Sequence, residues 1–199
     1  MHAGFFYAVV YKPYQVLTQF SAVPGKLCLR DFFRVPVDVY PVGRLDYDSE
    51  GLLLLTNDKR MNAQLLQPGN AHERTYWVQV DGAVTESALQ QLEKGVLISV
   101  DGKKIKTRPA KAKLLTNTPR VPDRNPPIRF RAAIPTSWIA LTLTEGKNRQ
   151  VRKMTAAVGF PTLRLIRYQI GNCMLDALMP GDMRQIAPHE ISSLFPFKP

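Results

Sequence analysis

The chain has 199 residues, 45% of them hydrophobic, so it can bury a sizeable core and is most naturally one domain, with two lobes possible. Its 27 Lys and Arg outnumber 16 Asp and Glu, and the resulting net charge of +11 favours a polyanionic partner, with nucleic acid ahead of an anionic membrane surface. The two cysteines and three histidines have no ligand or disulfide spacing, which excludes a disulfide framework and gives no support for a metal cofactor.

The first third of the chain predicts two buried strands and a helix. Residues 5–11 indicate a buried strand, and residues 52–55 form an apolar run without alternation, which is typical of a strand covered on both faces. Asn57 or Asp58 can cap a short helix, which Pro68-Gly69 would end.

The middle of the chain predicts a strand, a helix and a basic segment. Residues 75–80 alternate as in a strand, and Thr85 caps a predicted helix that runs through Lys94 and ends at Gly95. Residues 103–131 hold ten basic side chains and five prolines, which predicts an extended arm or a long hairpin rather than a helix. This segment either contacts RNA or is a solvated loop.

The last third predicts a strand, a helix and a further strand. Residues 139–143 alternate and run into a turn, after which Asn148 is expected to cap a helix that Gly159 ends. Residues 163–170 then indicate another strand. No apolar run is long enough to span a bilayer and no secretory segment is recognisable, so we expect a cytoplasmic protein.

Residues 41–58, PVGRLDYDSEGLLLLTND, place three acids directly before the apolar run. Asp46, Asp48 and Glu50 fall within five positions, with Arg44 just upstream. This is the layout of an active-site loop that feeds a buried strand. On the residues alone, a solvated turn remains the alternative.

Four blocks, in order along the chain, resemble one enzyme family. The string GRLDxDSEGLLLLTND resembles the signature of the ribosomal RNA pseudouridine synthases, in the branch that contains the small-subunit enzyme and its large-subunit relatives. Residues 10–13 (VYKP) resemble its lysine-proline element, residues 74–76 (RTY) its K-x-Y element, and residues 145–154 (EGKNRQVRKM) its basic motif. The size and the start of the chain most resemble the E type of the large-subunit enzymes.

The resemblance implies an architecture. It is an α+β fold with a long, bent, mixed and mainly antiparallel sheet, flanked by helices, with a catalytic cleft across the sheet. Residues 1–199 would form a single catalytic domain without the N-terminal accessory RNA-binding domain that many members of this branch carry. The resemblance implies no metal, no organic cofactor and a monomer.

The resemblance also implies an activity: isomerisation of uridine to pseudouridine in ribosomal RNA, 23S (large-subunit) rRNA being the expected substrate. Asp46 occupies the position of the nucleophile, which acts on a flipped-out uridine. Arg152 matches the arginine that pairs with this carboxylate, although on sequence alone it could equally bind phosphate. Tyr76 matches the tyrosine that packs against the target base, with a core tyrosine as the alternative.

A second set of residues is expected to bind the RNA substrate. Its members are Lys12, Arg44, Lys147, Asn148, Arg149, Gln150 and Leu165. Leu165 matches a position that lines the uracil pocket, yet it could be ordinary core, and residues 147–150 could be solvated surface. Asp48 and Glu50 are expected to organise the loop through hydrogen bonds to the backbone or to Arg44.

Two rival interpretations remain open. One is a non-catalytic, ribosome-associated RNA-binding protein that keeps the fold and the basic surface. The other is a carboxylate hydrolase of nucleosides or glycans, which would release a free base or sugar. The sequence does not determine which uridine is modified, or whether the substrate is bare RNA or an assembling particle. It also does not determine whether the nucleophile attacks the uracil ring or the ribose.

Overall fold

A computed structural model of the chain describes residues 4–67, 72–128 and 135–196. The expected helix end at Pro68-Gly69 and the last residues of the basic segment lie outside these ranges. The structure divides into two compact units, Met1–His72 with Arg167–Pro199, and Glu73–Ile166. We call them unit 1 and unit 2. The expectation of one catalytic domain over residues 1–199 stays a prediction.

Unit 1 is built on short strands, most of which pair antiparallel. Its strands are β1 (Tyr7–Lys12), β2 (Val16–Leu17), β3 (Leu27–Cys28), β4 (Tyr40–Pro41) and β5 (Glu50–Thr56). Strands β1 and β5 pair over their whole length, from Tyr7 opposite Thr56 to Lys12 opposite Gly51, and β4 adds to β5. Every residue of β5 is buried, as its unbroken apolar run predicts.

One helix follows β5 directly. Helix α1 (Lys59–Leu66) begins after Asp58, whose carboxylate accepts a hydrogen bond from the Arg60 backbone N–H at 3.0 Å. The same carboxylate accepts the Tyr7 hydroxyl at 2.8 Å. Asp58 is therefore the helix cap, one of the two residues expected there.

Unit 2 contains three strands of one antiparallel sheet, a hairpin and two helices. The elements are β6 (Arg74–Asp81), α2 (Glu86–Lys94), β7 (Leu97–Val100), β8 (Lys103–Lys106), β9 (Lys111–Leu114), β10 (Thr136–Leu143) and α3 (Gln150–Ala157). Strand β10 pairs with β6 on one side and with β9 on the other. Helix α2 is capped by Thr85 and ends at Gly95, as predicted.

Three further strands lie in the last part of the chain. They are β11 (Thr162–Ile170), β12 (Cys173–Met174) and β13 (Met183–Gln185). Within unit 1, β13 pairs antiparallel with β1, and β12 pairs antiparallel with β11. The β2–β3 pair is parallel, so the pairing is mixed and mainly antiparallel, as the resemblance implies.

Each unit has its own hydrophobic cluster. In unit 1, Val10, Leu53 and Leu55 pack with residues from the chain that follows β1. In unit 2, a larger cluster collects the inward side chains of β6 and β10 with residues of α2, α3 and β11. The period-two alternation of β6 and β10 is what places these side chains on one face of the sheet.

Candidate active site

The loop between β4 and β5 carries the acids that the sequence singles out. Arg44 is exposed, Asp46 and Asp48 are half-buried, and Glu50 is buried as the first residue of β5. Among the four charged residues, exposure is therefore highest at Arg44 and lowest at Glu50. The loop presents Arg44 to solvent, keeps Asp46 and Asp48 partly accessible and buries Glu50.

The backbone on both sides of Asp46 is held by hydrogen bonds. The Thr18 hydroxyl donates to the Leu45 carbonyl at 2.6 Å and accepts from the Leu45 N–H at 3.3 Å. The Tyr47 carbonyl accepts the Gln15 N–H at 2.9 Å, and the Asp46 carbonyl accepts the Ser49 N–H at 3.0 Å. A loop tied at consecutive residues holds its carboxylate in place before a substrate binds.

Arg167, on β11, also holds this loop. Its guanidinium donates from Nε to the Leu52 carbonyl at 2.7 Å and from one terminal nitrogen to the Arg44 carbonyl at 3.3 Å. The residue is 4% exposed. Arg167 was not among the site residues predicted from the sequence. Its place inside the apolar run LIRYQI was a usable signal, because a buried charge needs specific partners.

Gly51 explains the glycine of the acidic motif. Its φ is +108°, and a Cβ built on it would lie 2.4 Å from the Arg167 carbonyl oxygen and 2.7 Å from the Arg167 nitrogen. Only a residue without a side chain allows β5 to approach β11 this closely. The glycine therefore sets the position of Arg167 relative to the acid loop.

Lys12 is buried, whereas a residue that binds RNA is expected to be exposed. Its side chain is completely buried, and Nζ donates to the Pro13 carbonyl at 2.9 Å and to the Val16 carbonyl at 2.7 Å. An ammonium enclosed in this way does not reach a phosphate. Its contacts instead fix the turn after β1, which is the turn that also anchors the acid loop.

The pKa of Lys12 is lowered to about 7, because burial disfavours its charged form. The nearby Arg167 guanidinium lowers it further, whereas Glu50, Asp46 and Asp48 act in the opposite direction, with Glu50 having the largest effect of the three. Unit 1 thus brings two cations and three carboxylates together around the Asp46 loop. The expectation that Asp48 and Glu50 organise the loop stays a prediction.

Tyr76 lies on β6, opposite Leu141 of β10. It is half-buried, and its side chain packs against the hydrophobic cluster of unit 2. Both uses of this tyrosine are therefore compatible with its place, since part of the side chain contacts the core while part stays accessible to a base.

The basic motif forms the start of α3. Lys147, Asn148 and Arg149 are exposed before the helix, as RNA-binding residues would be. The predicted cap at Asn148 is wrong, because the capping position is Arg149, in a left-handed conformation with φ of 52° and no side-chain cap bond. Glu145 and Gln150 pair across this turn instead, so a side chain inside the helix organises its start.

Gln150 is structural rather than exposed. It is 4% exposed, its side-chain amide donates to Glu145 Oε1 at 2.6 Å, and its side-chain oxygen accepts the Lys147 N–H at 3.0 Å. Glu145 Oε1 also accepts the Arg108 N–H at 2.9 Å. These bonds leave Gln150 no free face for RNA, so its expected role in substrate binding is not supported by its place.

Arg152 and Leu165 lie around the same cluster in unit 2. Arg152 is half-buried on α3, and two neighbouring residues of this helix, Val151 and Met154, belong to the cluster. Leu165 is 5% exposed and belongs to the cluster itself, which matches the core alternative for this residue. Tyr76 and Leu165 thus share one hydrophobic neighbourhood, and Arg152 lies on the helix that contributes Val151 and Met154 to it.

Some features are absent from the part of the chain that the structure describes. In residues 4–67, 72–128 and 135–196, no group of three or more His, Cys, Asp or Glu side chains is arranged to hold a metal ion. Over the same ranges, no helix has both the length and the apolar character that crossing a membrane requires.

The sequence of residues 6–157 matches the family described as RNA pseudouridylate synthase. The match covers all four motif blocks in full. The chain belongs to the RNA pseudouridylate synthase family. The resemblance drawn from the motifs is therefore confirmed, and with it the assignment of the chain to a family of enzymes.

Relatives within this family are similar over most of their length. The large-subunit pseudouridine synthase E of Vibrio vulnificus is 51% identical over 176 residues, which are 88% of this chain and 73% of that protein. The large-subunit pseudouridine synthase E of Xanthomonas axonopodis pv. citri is 51% identical over 171 residues, 85% of this chain and 87% of that protein.

Solved structures of the family agree. A crystal structure of a pseudouridylate synthase shares 28% identity with this chain at a TM-score of 0.78, covering 96% of this chain and 74% of that one. This likeness confirms the α+β fold of the pseudouridylate synthases. The comparisons give no support to the non-catalytic alternative.

Proposed function

We propose that this protein converts uridine into pseudouridine in the RNA of the large ribosomal subunit. The observation that carries the proposal is the Asp46 loop, in which the family signature coincides with a half-buried aspartate whose backbone is held by hydrogen bonds on both sides. The two E-type relatives, named as large-subunit enzymes, support the choice of RNA.

The reaction needs a nucleophile and no redox partner. The bond between uracil N1 and ribose C1′ breaks, the base turns, and a bond forms between C5 and C1′. The proton leaves C5, and N1 ends protonated, so atoms and charge balance. A carboxylate divides this rearrangement into easier covalent steps by attacking either the uracil ring or C1′, and Asp46 has that role in the proposal.

The remaining site residues take the roles that the family motifs imply for them. Arg44, exposed beside Asp46, contacts RNA, and so do Lys147, Asn148 and Arg149. Tyr76 holds the flipped base, and Arg152 provides the positive charge that a desolvated carboxylate requires to stay ionised. Lys12, Gln150 and Leu165 support the fold of these segments.

The test treats large-subunit ribosomal RNA that lacks the modification with the purified protein. Pseudouridine is mapped as carbodiimide-resistant stops in reverse transcription, on bare RNA and on assembling particles in parallel. We expect one or very few new stops, no change in the mass of the RNA and no free uracil. Tight binding without any stop on either substrate would refute the enzymatic proposal, and release of free uracil would indicate the hydrolase.

A further inference from the structure

The positive charge of this protein is concentrated in one of its two units. Residues 73–166 carry 17 Lys and Arg against seven Asp and Glu, a net charge of +10. The rest of the chain carries ten against nine, a net charge of +1. An attraction for a polyanion is therefore a property of unit 2, which does not contain the proposed nucleophile.

Part of this charge lies on a β-hairpin. Strands β7 and β8 pair from Leu97 opposite Lys106 to Val100 opposite Lys103. The two residues between them, Asp101 and Gly102, have φ values of 49° and 78°. Two positive φ values in a two-residue Asp-Gly loop are the pattern of a type I′ turn, which matches the twist of the strands. We call Leu97–Lys106 the lysine hairpin.

The two faces of the lysine hairpin differ sharply. Ile98, Val100 and Ile105 belong to the hydrophobic cluster of unit 2 or pack against it. On the opposite face Leu97, Ser99, Lys104 and Lys106 are exposed, and Lys103 is exposed at the turn. Strand geometry places Lys104 and Lys106 on the same side, roughly 7 Å apart along β8.

The base of the lysine hairpin is fixed. The Thr107 N–H donates to the Val96 carbonyl at 2.9 Å, and the Thr107 hydroxyl accepts the Val96 N–H at 3.0 Å. Gly95, with φ of 79°, allows this approach, because a Cβ there would lie 2.3 Å from the Thr107 carbonyl oxygen. The lysines are thus presented on a rigid support rather than on a loose loop.

The lysines of β8 have no acidic partner within the described ranges. No ion pair or hydrogen bond joins the ammonium groups of Lys103, Lys104 and Lys106 to any other described residue. Lys111 on β9, in contrast, lies 2.6 Å from Glu73. Neighbouring like charges repel each other, so this cluster costs stability and calls for an external anion.

We propose that the outer face of the lysine hairpin docks the phosphate backbone of the RNA substrate, separately from the binding of the flipped nucleotide. The proposal rests on the proposed function for the identity of the RNA. RNA fits better than a membrane surface, because the outer face has one exposed large apolar side chain, Leu97, and no apolar stripe that could enter lipid. Phosphate contacts of this kind position a substrate without reading its sequence.

The proline-rich part of the basic segment has a different role. Arg124 donates to the Pro126 carbonyl at 2.9 Å, to the Pro127 carbonyl at 3.2 Å and to the Leu163 carbonyl at 3.4 Å. Its guanidinium therefore ties this stretch to β11. Residues 103–128, the described part of the basic segment, contain strands β8 and β9 and no helix, and each of these strands pairs with a strand outside the segment. The extended arm or long hairpin expected for residues 103–131 as a whole stays a prediction.

The test compares two variants of equal charge change. Lys104→Gln with Lys106→Gln removes the outer lysines, and Lys59→Gln with Arg184→Gln removes two exposed cations of unit 1 as the matched control. Binding of an unmodified large-subunit RNA transcript is measured from 50 to 300 mM salt, with turnover at saturating RNA. Thermal unfolding checks that both proteins fold.

The hairpin variant is expected to raise the Kd about tenfold at 150 mM salt and to reduce the slope of log K against log salt by about 1.4 to 1.8, the value for two lost phosphate contacts. Turnover at saturating RNA stays unchanged. The double variant Lys104→Arg with Lys106→Arg, which keeps both charges, binds RNA with the affinity of the wild type. The control changes Kd less than twofold.

Three outcomes overturn the proposal: an equal effect of the two variants, an unchanged Kd and slope, or loss of binding to anionic phospholipid vesicles with RNA binding intact. The last result would assign the surface to a membrane. Binding is measured separately from turnover. Absence of pseudouridine formation by the wild type would therefore refute the proposed function, while the binding data would still test the docking proposal.

Discussion

Arg167 offers a sharp test of how the acid loop is held. Arg167→Met keeps much of the aliphatic packing but removes two charge-assisted hydrogen bonds, to the Leu52 and Arg44 carbonyls. Loss of such a bond beside a buried carbonyl costs about 1.5 to 3 kcal/mol. A carbonyl oxygen has a second acceptor site, so the cost per lost bond should lie at the low end of this range. We therefore expect the free energy of unfolding to fall by about 3 kcal/mol in total.

The same substitution should slow the reaction more than it weakens RNA binding. The Arg44 carbonyl lies two residues before Asp46, so its release lets the carboxylate move, and misplacement by about 1 Å costs on the order of 100-fold in kcat. KM should change less than threefold, and Arg167→Lys should recover part of kcat. Urea unfolding and single-turnover pseudouridine formation measure the two effects.

The control is Arg34→Met, at an exposed arginine of unit 1, which should cost less than about 0.5 kcal/mol. If Arg167→Met lowers the free energy of unfolding by less than about 1 kcal/mol and leaves kcat within twofold of the wild type, then Arg167 does not hold the loop and the reasoning from its hydrogen bonds is wrong.

Three further substitutions test other parts of the site. Gly51→Ala should destabilise the protein by about 3 kcal/mol, because it adds a backbone clash to an unfavourable φ, whereas Gly25→Ala, with a positive φ in open space, should cost about 1 kcal/mol, both by urea unfolding. Lys12→Met should remove a pH dependence of the free energy of unfolding. Between pH 7 and 10.5 the lysine of the native protein binds fewer protons than that of the unfolded protein. The cost of burying its charge is therefore full below pH 7 and is relieved as the pH rises. The stability of the wild type relative to Lys12→Met should therefore rise by up to about 1.4 kcal/mol per pH unit over that interval. Gln150→Ala should cost about 2 kcal/mol of stability and leave the Kd for RNA within twofold, whereas Arg149→Ala should weaken RNA binding.

Each of these has a contradicting result. Equal costs for Gly51→Ala and Gly25→Ala would show that β5 and β11 have room to separate. A flat difference between wild type and Lys12→Met from pH 7 to 10 would show that Lys12 keeps its ordinary pKa. A large loss of RNA affinity in a stable Gln150→Ala protein would restore this residue to the RNA-binding set.

Elements specified by neighbouring residues could be predicted from the sequence. Helix α2 begins after Thr85 and ends at Gly95 as expected, because an accepting hydroxyl and a residue tolerant of positive φ act within one turn. The fully buried strand β5 was predicted correctly for a similar reason, since its apolar run is continuous.

Features that depend on distant partners could not be predicted in the same way. Lys12 and Gln150 look like surface residues in the sequence, yet carbonyl and carboxylate groups on the neighbouring turns enclose them. Arg167 is 115 residues from the carbonyl that it binds on β5. The role of Asp46 came from the order of motif residues, and the structure added how the loop around it is tied down.

The most direct test of the account is whether Asp46 performs the chemistry. Large-subunit RNA labelled with tritium at uracil C5 loses that tritium to water when pseudouridine forms, so release reports the reaction itself. Asp46→Asn should bind the RNA with nearly unchanged affinity and release no tritium, while Asp123→Asn, at an exposed aspartate of unit 2, should match the wild type. Tritium release by Asp46→Asn at the wild-type rate would contradict the assignment of the nucleophile.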